Sequence, residues 1–273
     1  MADDDRLRLR IDLAYDGAAF HGFARQTGVQ TVQGALEDAL SAVLGQPALT
    51  TCAGRTDRGV HASAQVVHLD VDPRTTAAPS VLADLDRLRR RLQRMTGPAM
   101  AVWLVRRVSL DFDARFSVLH RRYRYRIVEA SSLHPLRRFD VWHLAEPLSV
   151  PAMRAAARHL LGEHDFASFC RVSPGRTTIR RVDEITIARK PGGSLDVRVR
   201  GPAFCQQQVR SIVGVLAEIG LRRQSPGWAA EVLAARDRSV AARVAPPQGL
   251  VLDRVSYGRR FPAAPPPLVA LDV

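Results

Sequence analysis

One order of elements, met twice, constrains this chain more than any other feature of its sequence. Apolar residues fall first at strand spacing and then at helical spacing, giving strand, helix, strand, strand, helix, strand. Residues 8–14 alternate apolar and polar side chains, the mark of a half-buried strand. Thr31 stands where a helix cap belongs, ahead of Val32, Leu36, Ala39, Leu40 and Val43, and Gly45 ends that run. Residues 48–55 and 63–71 read as strands. Residues 81–95 predict a second helix, with Leu82, Leu85, Leu88, Leu92 and Met95 inward and arginines outward. Residues 100–108 close the first run as a strand.

The second run repeats the order. Residues 122–128 predict a strand and 151–161 a helix. Residues 179–189 and 194–200 predict a hairpin around Pro191-Gly192-Gly193, and residues 204–220 a helix. A further helix with Ser225 as cap and Pro226 in its first turn precedes a last strand at 250–257. The pattern predicts an α+β chain of two ferredoxin-like, RRM-like βαββαβ halves, their sheets side by side around a central cleft. The boundary falls near residues 109–113, giving an N-terminal half at 1–110 and a C-terminal half at 111–273. The proline-rich tail FPAAPPPLVALDV reads as irregular, with its last residues able to pack back on the body.

Charge narrows the partners. Basic residues outnumber acidic ones 40 to 27, a net charge of +13, which favours a polyanion such as nucleic acid or an anionic membrane face. The opening MADDDRLRLRIDLAYDG has no apolar core of a signal peptide, and no apolar run approaches the ~20 residues of a membrane span. Cys52, Cys170 and Cys205 are odd in number and far apart in sequence. They predict neither a disulfide framework nor a zinc site, and a reducing cytoplasm as the compartment.

The decade AGRTDRGVHA, residues 53–62, confines one carboxylate, Asp57, between Arg55 and Arg58. In an extended chain Arg55 and Asp57 share a face, and a guanidinium there would hold the acid ionised, fit to be a nucleophile rather than a proton donor. The flanking glycines would let a ligand come close. Equally, Asp57-Arg58-Gly59 reads as a plain turn whose aspartate bonds its own backbone. Physical chemistry alone leaves both open.

The longer string resembles the G-R-T-D-x-G-V-H-A signature of the tRNA pseudouridine synthase A family. Four further stretches, in the same order, carry the resemblance. YDGAAFHGFARQ (15–26) is similar to the family's Y-D-G-x-x-x-x-G-W-x-R-Q, and DFDARFSVLHRRYRY (111–125) to its D-F-x-A-R-F-S-x-x-x-R-x-Y-x-Y. GEHDFASF (162–169) resembles G-x-x-D-F-x-S-F, and VRSIVG (209–214) the V-R-x-x-V-G segment. Together they cover roughly residues 7 to 257.

The resemblance implies an isomerase that converts uridines at positions 38 to 40 of the tRNA anticodon stem-loop to pseudouridine. Uracil is detached from ribose at N1, turned and rejoined through C5, without cofactor or metal. The family aspartate falls on Asp57, as nucleophile or as the carboxylate that triggers cleavage, in its ionised form. The active-site tyrosine falls on Tyr123 and the cleft arginine on Arg210, a candidate partner for Asp57. Arg25 and Gln26 fall in a loop that touches RNA. The family also implies a homodimer and recognition by shape and phosphate, with the target base drawn from its stack. RLRRRLQR (87–94) reads as well as a phosphate track as it does as a solvated helix face. Departures from the family pattern are Phe23 for tryptophan, Arg58 for a small residue, Pro202 for asparagine and Gln208 for methionine, and the N-x-x-L-P stretch expected near residues 93–97 is not recognisable. Two rival readings are a non-catalytic RNA-binding module of the same fold and a hydrolytic glycosidase. The second needs a protonated second carboxylate, for which Asp165 is the candidate. No G-x-S-x-G elbow points to a serine hydrolase.

Overall fold

Strand β1 (Leu7–Tyr15) is the spine of the first part of the chain. It pairs antiparallel with β3 (His61–Val71) on one side and with β4 (Met100–Val108) on the other, with Ile11 opposite both Val67 and Val105. The short β2 (Thr51–Cys52) lies on β3, and β11 (Leu250–Ser256) is the next strand beyond it, giving the order β4-β1-β3-β11. The computed structural model describes residues 6–74, 79–172 and 175–262, and the last eleven residues of the proline-rich tail lie outside them. Contacts group the chain into two units, Met1–Leu119 with Leu252–Val273, and His120–Val251.

Helix α1 (Val32–Leu44) starts as the sequence implies: Thr31 Oγ1 accepts the Gly34 N–H at 3.1 Å, satisfying one of the helix's unpaired donors. The single helix expected at 81–95 is instead two, α2 (Pro79–Ala83) and α3 (Leu85–Met95). Asp84 divides them, because its carboxylate accepts the Arg87 N–H at 2.9 Å and so caps α3. Helix α3 packs on β4 and on α1.

The alternation in β1 describes one apolar face, Leu9, Ile11 and Leu13, all fully buried. The other face is buried too, which alternation did not foretell. Arg10 is 0 % exposed, sandwiched by Phe112 and Tyr257, with its charge met by Asp12 at 2.7 Å. Aromatic faces attract a guanidinium once water is excluded, so an arginine can take a core position.

The second unit is built on β5 (His120–Glu129), which pairs antiparallel with β10 (Ser194–Gly201) and parallel with β6 (Trp142–Leu144). Strand β9 (Glu184–Arg189) completes the expected hairpin with β10 across the Pro191-Gly192-Gly193 turn. Its forward extension is not part of that hairpin. The chain breaks at Asp183, and β8 (Ile179–Val182) pairs instead with β7 (Gly162–Asp165). Helices α4 (Val150–Arg158), α5 (Gln208–Gly220) and α6 (Trp228–Ala235) pack on one another, and α4 covers β9. The expectation of unpaired cysteines is corrected here: Cys170 and Cys205, 35 residues apart, are joined as a disulfide with Cα atoms 5.7 Å apart. Sequence separation hid the contact, which forms where the Arg171 N–H meets the Gln206 carbonyl at 2.9 Å. No helix among the described residues is long and apolar enough to cross a membrane.

Candidate active site

The Asp57 loop is shaped by neutral groups. Gln65, on β3, is fully buried, and its amide brackets Gly54: Nε2 donates to the Gly54 carbonyl at 2.6 Å and Oε1 accepts the Gly54 N–H at 3.4 Å. The same Nε2 reaches Tyr15 Oη at 3.3 Å, which lies 2.8 Å from Thr56 Oγ1. From the other side the Phe23 N–H donates to the Thr56 carbonyl at 3.0 Å. The chain then reverses, the Val60 N–H bonding the Asp57 carbonyl at 3.1 Å, with Gly59 at φ +78° where a side chain would be strained. Gly17 completes the support, since a Cβ there would lie 2.1 Å from the Val60 carbonyl oxygen. The hydrogen bonds just named join uncharged groups.

On this frame Asp57 is half-buried, while Arg55 and Arg58 are exposed. The pairing expected between Arg55 and Asp57 is not made: Arg55 forms no ion pair or hydrogen bond among the described residues, and neither does the Arg58 side chain. Phe23, the departure from tryptophan, is 1 % exposed and packs against Tyr15 with ring centroids 6.3 Å apart. Its effect is on the floor of the loop.

Arg25 and Gln26 lie in the next loop of the same unit. Arg25 Nε donates to Glu37 at 3.0 Å, and its Nη2 to Asp38 at 2.5 Å and to the Gly34 carbonyl at 3.0 Å. These bonds raise the pKa of Arg25, led by the one to Asp38. Glu37 is itself buried and also accepts from Gln33 and from the Thr50 N–H, so Arg25 fastens its loop to α1. Gln26 Nε2 bonds the His21 carbonyl at 3.1 Å.

Tyr123 and Arg210 belong to the second unit. Tyr123, on β5 opposite Val199, is 7 % exposed, and Phe204 stands edge-on to its ring at 5.4 Å. Its neighbour Tyr125 differs in kind: fully buried, it donates to the Pro246 carbonyl at 2.8 Å, and burial pushes its hydroxyl pKa far up. Arg210 sits in the first turn of α5, where Nε donates to the Ala245 carbonyl at 2.7 Å and the Arg210 carbonyl accepts the Ala245 N–H at 3.2 Å. Just ahead, Gln207 takes a left-handed backbone, φ +67°, and Gln208 is buried with Oε1 accepting the Cys205 N–H at 3.0 Å. The disulfide therefore closes next to the turn that starts α5. Asp165, the candidate second acid of a glycosidase, is consumed by its own turn, accepting from Thr178 Oγ1 at 2.6 Å and from the Ala167 N–H at 3.1 Å. Among the described residues no cluster of three or more His, Cys, Asp or Glu side chains could hold a metal.

Sequence reasoning missed Gln65, Tyr15 and Phe204. Gln65 had a signal: a glutamine within the apolar run of a strand must satisfy a buried amide, and the nearest irregular backbone was the motif itself.

A family model described as tRNA pseudouridine synthase matches residues 156–258. Over longer spans, the chain is 46 % identical to a protein named tRNA pseudouridine synthase A from Frankia casuarinae, covering 93 % of this chain and 90 % of that one. It is 41 % identical to proteins of the same name from Streptomyces avermitilis, over 92 % of this chain and 88 % of that one, and from Enterobacter sp. strain 638, over 96 % and 94 %.

Proposed function

The chain belongs to the tRNA pseudouridine synthase family, and from that premise we propose that it isomerises uridine at positions 38 to 40 of the tRNA anticodon stem-loop, with Asp57 as the residue that opens the glycosidic bond. It is an isomerase that converts uridine in tRNA to pseudouridine. The observation that carries the assignment to Asp57 is its support: neutral bonds through Gln65, Tyr15 and Thr56 fix the loop that presents the carboxylate.

The reaction balances within the substrate. The N1–C1′ bond breaks, uracil turns, a C5–C1′ bond forms, the C5 proton leaves to solvent and N1 takes up a proton. An ionised carboxylate can enter as nucleophile or stabilise the cationic sugar, and both need Asp57 unprotonated. Arg55 and Arg58, exposed on either side, are suited to phosphates flanking an extruded nucleotide. Tyr123, its ring steadied by Phe204, is the surface on which we place the uracil, and Arg210 the guanidinium that faces the carboxylate. In this reading the two units are ferredoxin-like halves, divided near residue 110, their sheets side by side and the substrate in the cleft. Arg25 and Gln26 border the RNA through the loop that Arg25 fastens. The protein acts in the bacterial cytoplasm as a homodimer without metal or cofactor.

The test is to incubate unmodified tRNA with the protein and map pseudouridine by carbodiimide-dependent reverse-transcription stops. Stops at positions 38, 39 or 40 with no free uracil are expected. Stops elsewhere overturn the site preference, and free uracil with abasic tRNA overturns isomerisation in favour of hydrolysis.

A further inference from the structure

Helix α3 carries its arginines in two chemically different sets. On one side Asp86 holds Arg89 at 2.7 Å and also bonds Arg90, whose Nη2 lies 3.8 Å from Asp84. Those charges are met within the helix. Arg87, Arg91 and Arg94 are different: their guanidinium groups make no hydrogen bond or ion pair among the described residues. At 100° per residue the three lie within about 60° of arc and span about 10 Å of helix. Leu88 and Leu92, buried against the sheet, border that row on one side, so it runs along an outer edge of the helix.

The row has a direction. Gln93 clamps the last turn of α3 to the start of β4, donating to the Met100 carbonyl at 2.9 Å and accepting the Val102 N–H at 2.8 Å. Met100 pairs with Tyr15 at the end of β1, and the Ala99 carbonyl takes the Asp16 N–H at 2.9 Å. Tyr15 and Gly17 are the residues that bond Thr56 and abut Val60. Arg94 is therefore at the end of α3 that adjoins the Asp57 loop, and Arg87 lies farthest from it.

We propose that Arg87, Arg91 and Arg94 form a phosphate track that holds the tRNA backbone and leads it toward the Asp57 loop, where Arg55 and Arg58 continue the positive charge. Three unpaired guanidinium groups in a line suit a strand of phosphates, which takes forked hydrogen bonds and releases counterions on binding. The track rests on tRNA being the substrate. It adds a binding surface that is separate from the atoms that react.

The test compares wild type, the triple variant Arg87→Gln/Arg91→Gln/Arg94→Gln and the charge-neutral control Asp86→Asn/Arg90→Gln, which leaves Arg89 on the opposite side of the helix from the row. Dissociation constants for full-length tRNA are measured from 50 to 500 mM KCl, with tritium release from [5-³H]uridine tRNA at saturating substrate. The triple variant should flatten the log–log salt slope by about 2 to 3 and bind roughly 100-fold more weakly near 0.1 M salt. Its saturated rate should match wild type, and the control should keep the wild-type slope. If the triple variant does not fold, Arg91→Gln alone should flatten the slope by about 1. A triple variant with an unchanged slope overturns the track. If that variant also changes its sedimentation, the row is a subunit face instead. A wild-type protein that binds tRNA but releases no tritium overturns the enzymatic reading, a result distinct from the slopes.

Discussion

Asp165 ends strand β7 and Asp57 lies in the loop after β2, and the chain around the two is held in opposite ways. Asp165 builds its turn with its own carboxylate, which takes Thr178 and the Ala167 N–H, and the disulfide from Cys170 anchors the chain shortly afterwards. The Asp57 loop is built by other residues: the Gln65 amide, the Tyr15 and Thr56 hydroxyls and backbone groups from Phe23 and Val60. A carboxylate that shapes its own turn is committed to structure. Around Asp57 the bonds described come from neighbouring residues, so the loop has supports besides that carboxylate. The same logic separates Arg25, whose donors go to Glu37 and Asp38, from Arg55 and Arg58, whose donors find no described partner.

The contrast can be broken most strongly through the disulfide. Closing a 35-residue separation should stabilise the second unit by about 3–4 kcal/mol on chain-entropy grounds. Cys170→Ser/Cys205→Ser should therefore unfold at clearly lower denaturant, and reductant should lower the wild-type midpoint but not the variant's. Next comes Gln65→Leu, which strands the partly buried Gly54 N–H and carbonyl against an apolar side chain. It should cost about 2–3 kcal/mol and lower kcat with little change in KM, measured by denaturation and by tritium release. Asp165→Asn should cost about 1–2 kcal/mol and leave kcat unchanged, because that carboxylate is bonded to Thr178, the Ala167 N–H and, at 3.7 Å, the Arg236 guanidinium. A large fall in kcat there would erase the distinction between the two aspartates.

The smallest effect concerns His68, on the same strand as Gln65. Its Nδ1 accepts the Ala114 N–H at 2.9 Å, and its pKa is lowered, first by burial and then by the Arg8 charge, against opposing pulls from Asp113 and Asp70. The unfolded chain thus takes up the proton before the folded one. Stability is complete above the unfolded value near 6.5 and is lost as pH falls from there toward the lower folded value. Thermal midpoints between pH 7.5 and 5.5 should decline in wild type and flatten in His68→Asn, which keeps an acceptor but cannot titrate.

The legible parts of the fold were those governed by local rules. The β1 and β4 strands and the Thr31-capped helix follow from periodicity and capping, within a residue or so of the observed limits. Side chains that bond across the chain were the hidden part. Residues 48–55 read as a strand, yet only Thr51–Cys52 pair in that way, because Gly54 gives its backbone groups to Gln65. The long strand at 179–189 broke at Asp183, whose N–H bonds the Arg200 carbonyl while β8 turns away to β7. Arg10 looked like a solvent-facing residue until Phe112 and Tyr257 closed over it. At the site, the motif marked Asp57 but not its support, which lies in a distant strand and in Tyr15.

The direct test is a single-turnover comparison of Asp57→Asn with wild type on [5-³H]uridine tRNA, alongside tRNA binding and the thermal midpoint. The neutral frame predicts a variant that folds and binds tRNA like wild type, with a midpoint within about 2 °C of it, and releases no tritium above background. Release at the wild-type rate would contradict the assignment of the chemistry to this carboxylate, and collapse of the fold would contradict a loop held together without it.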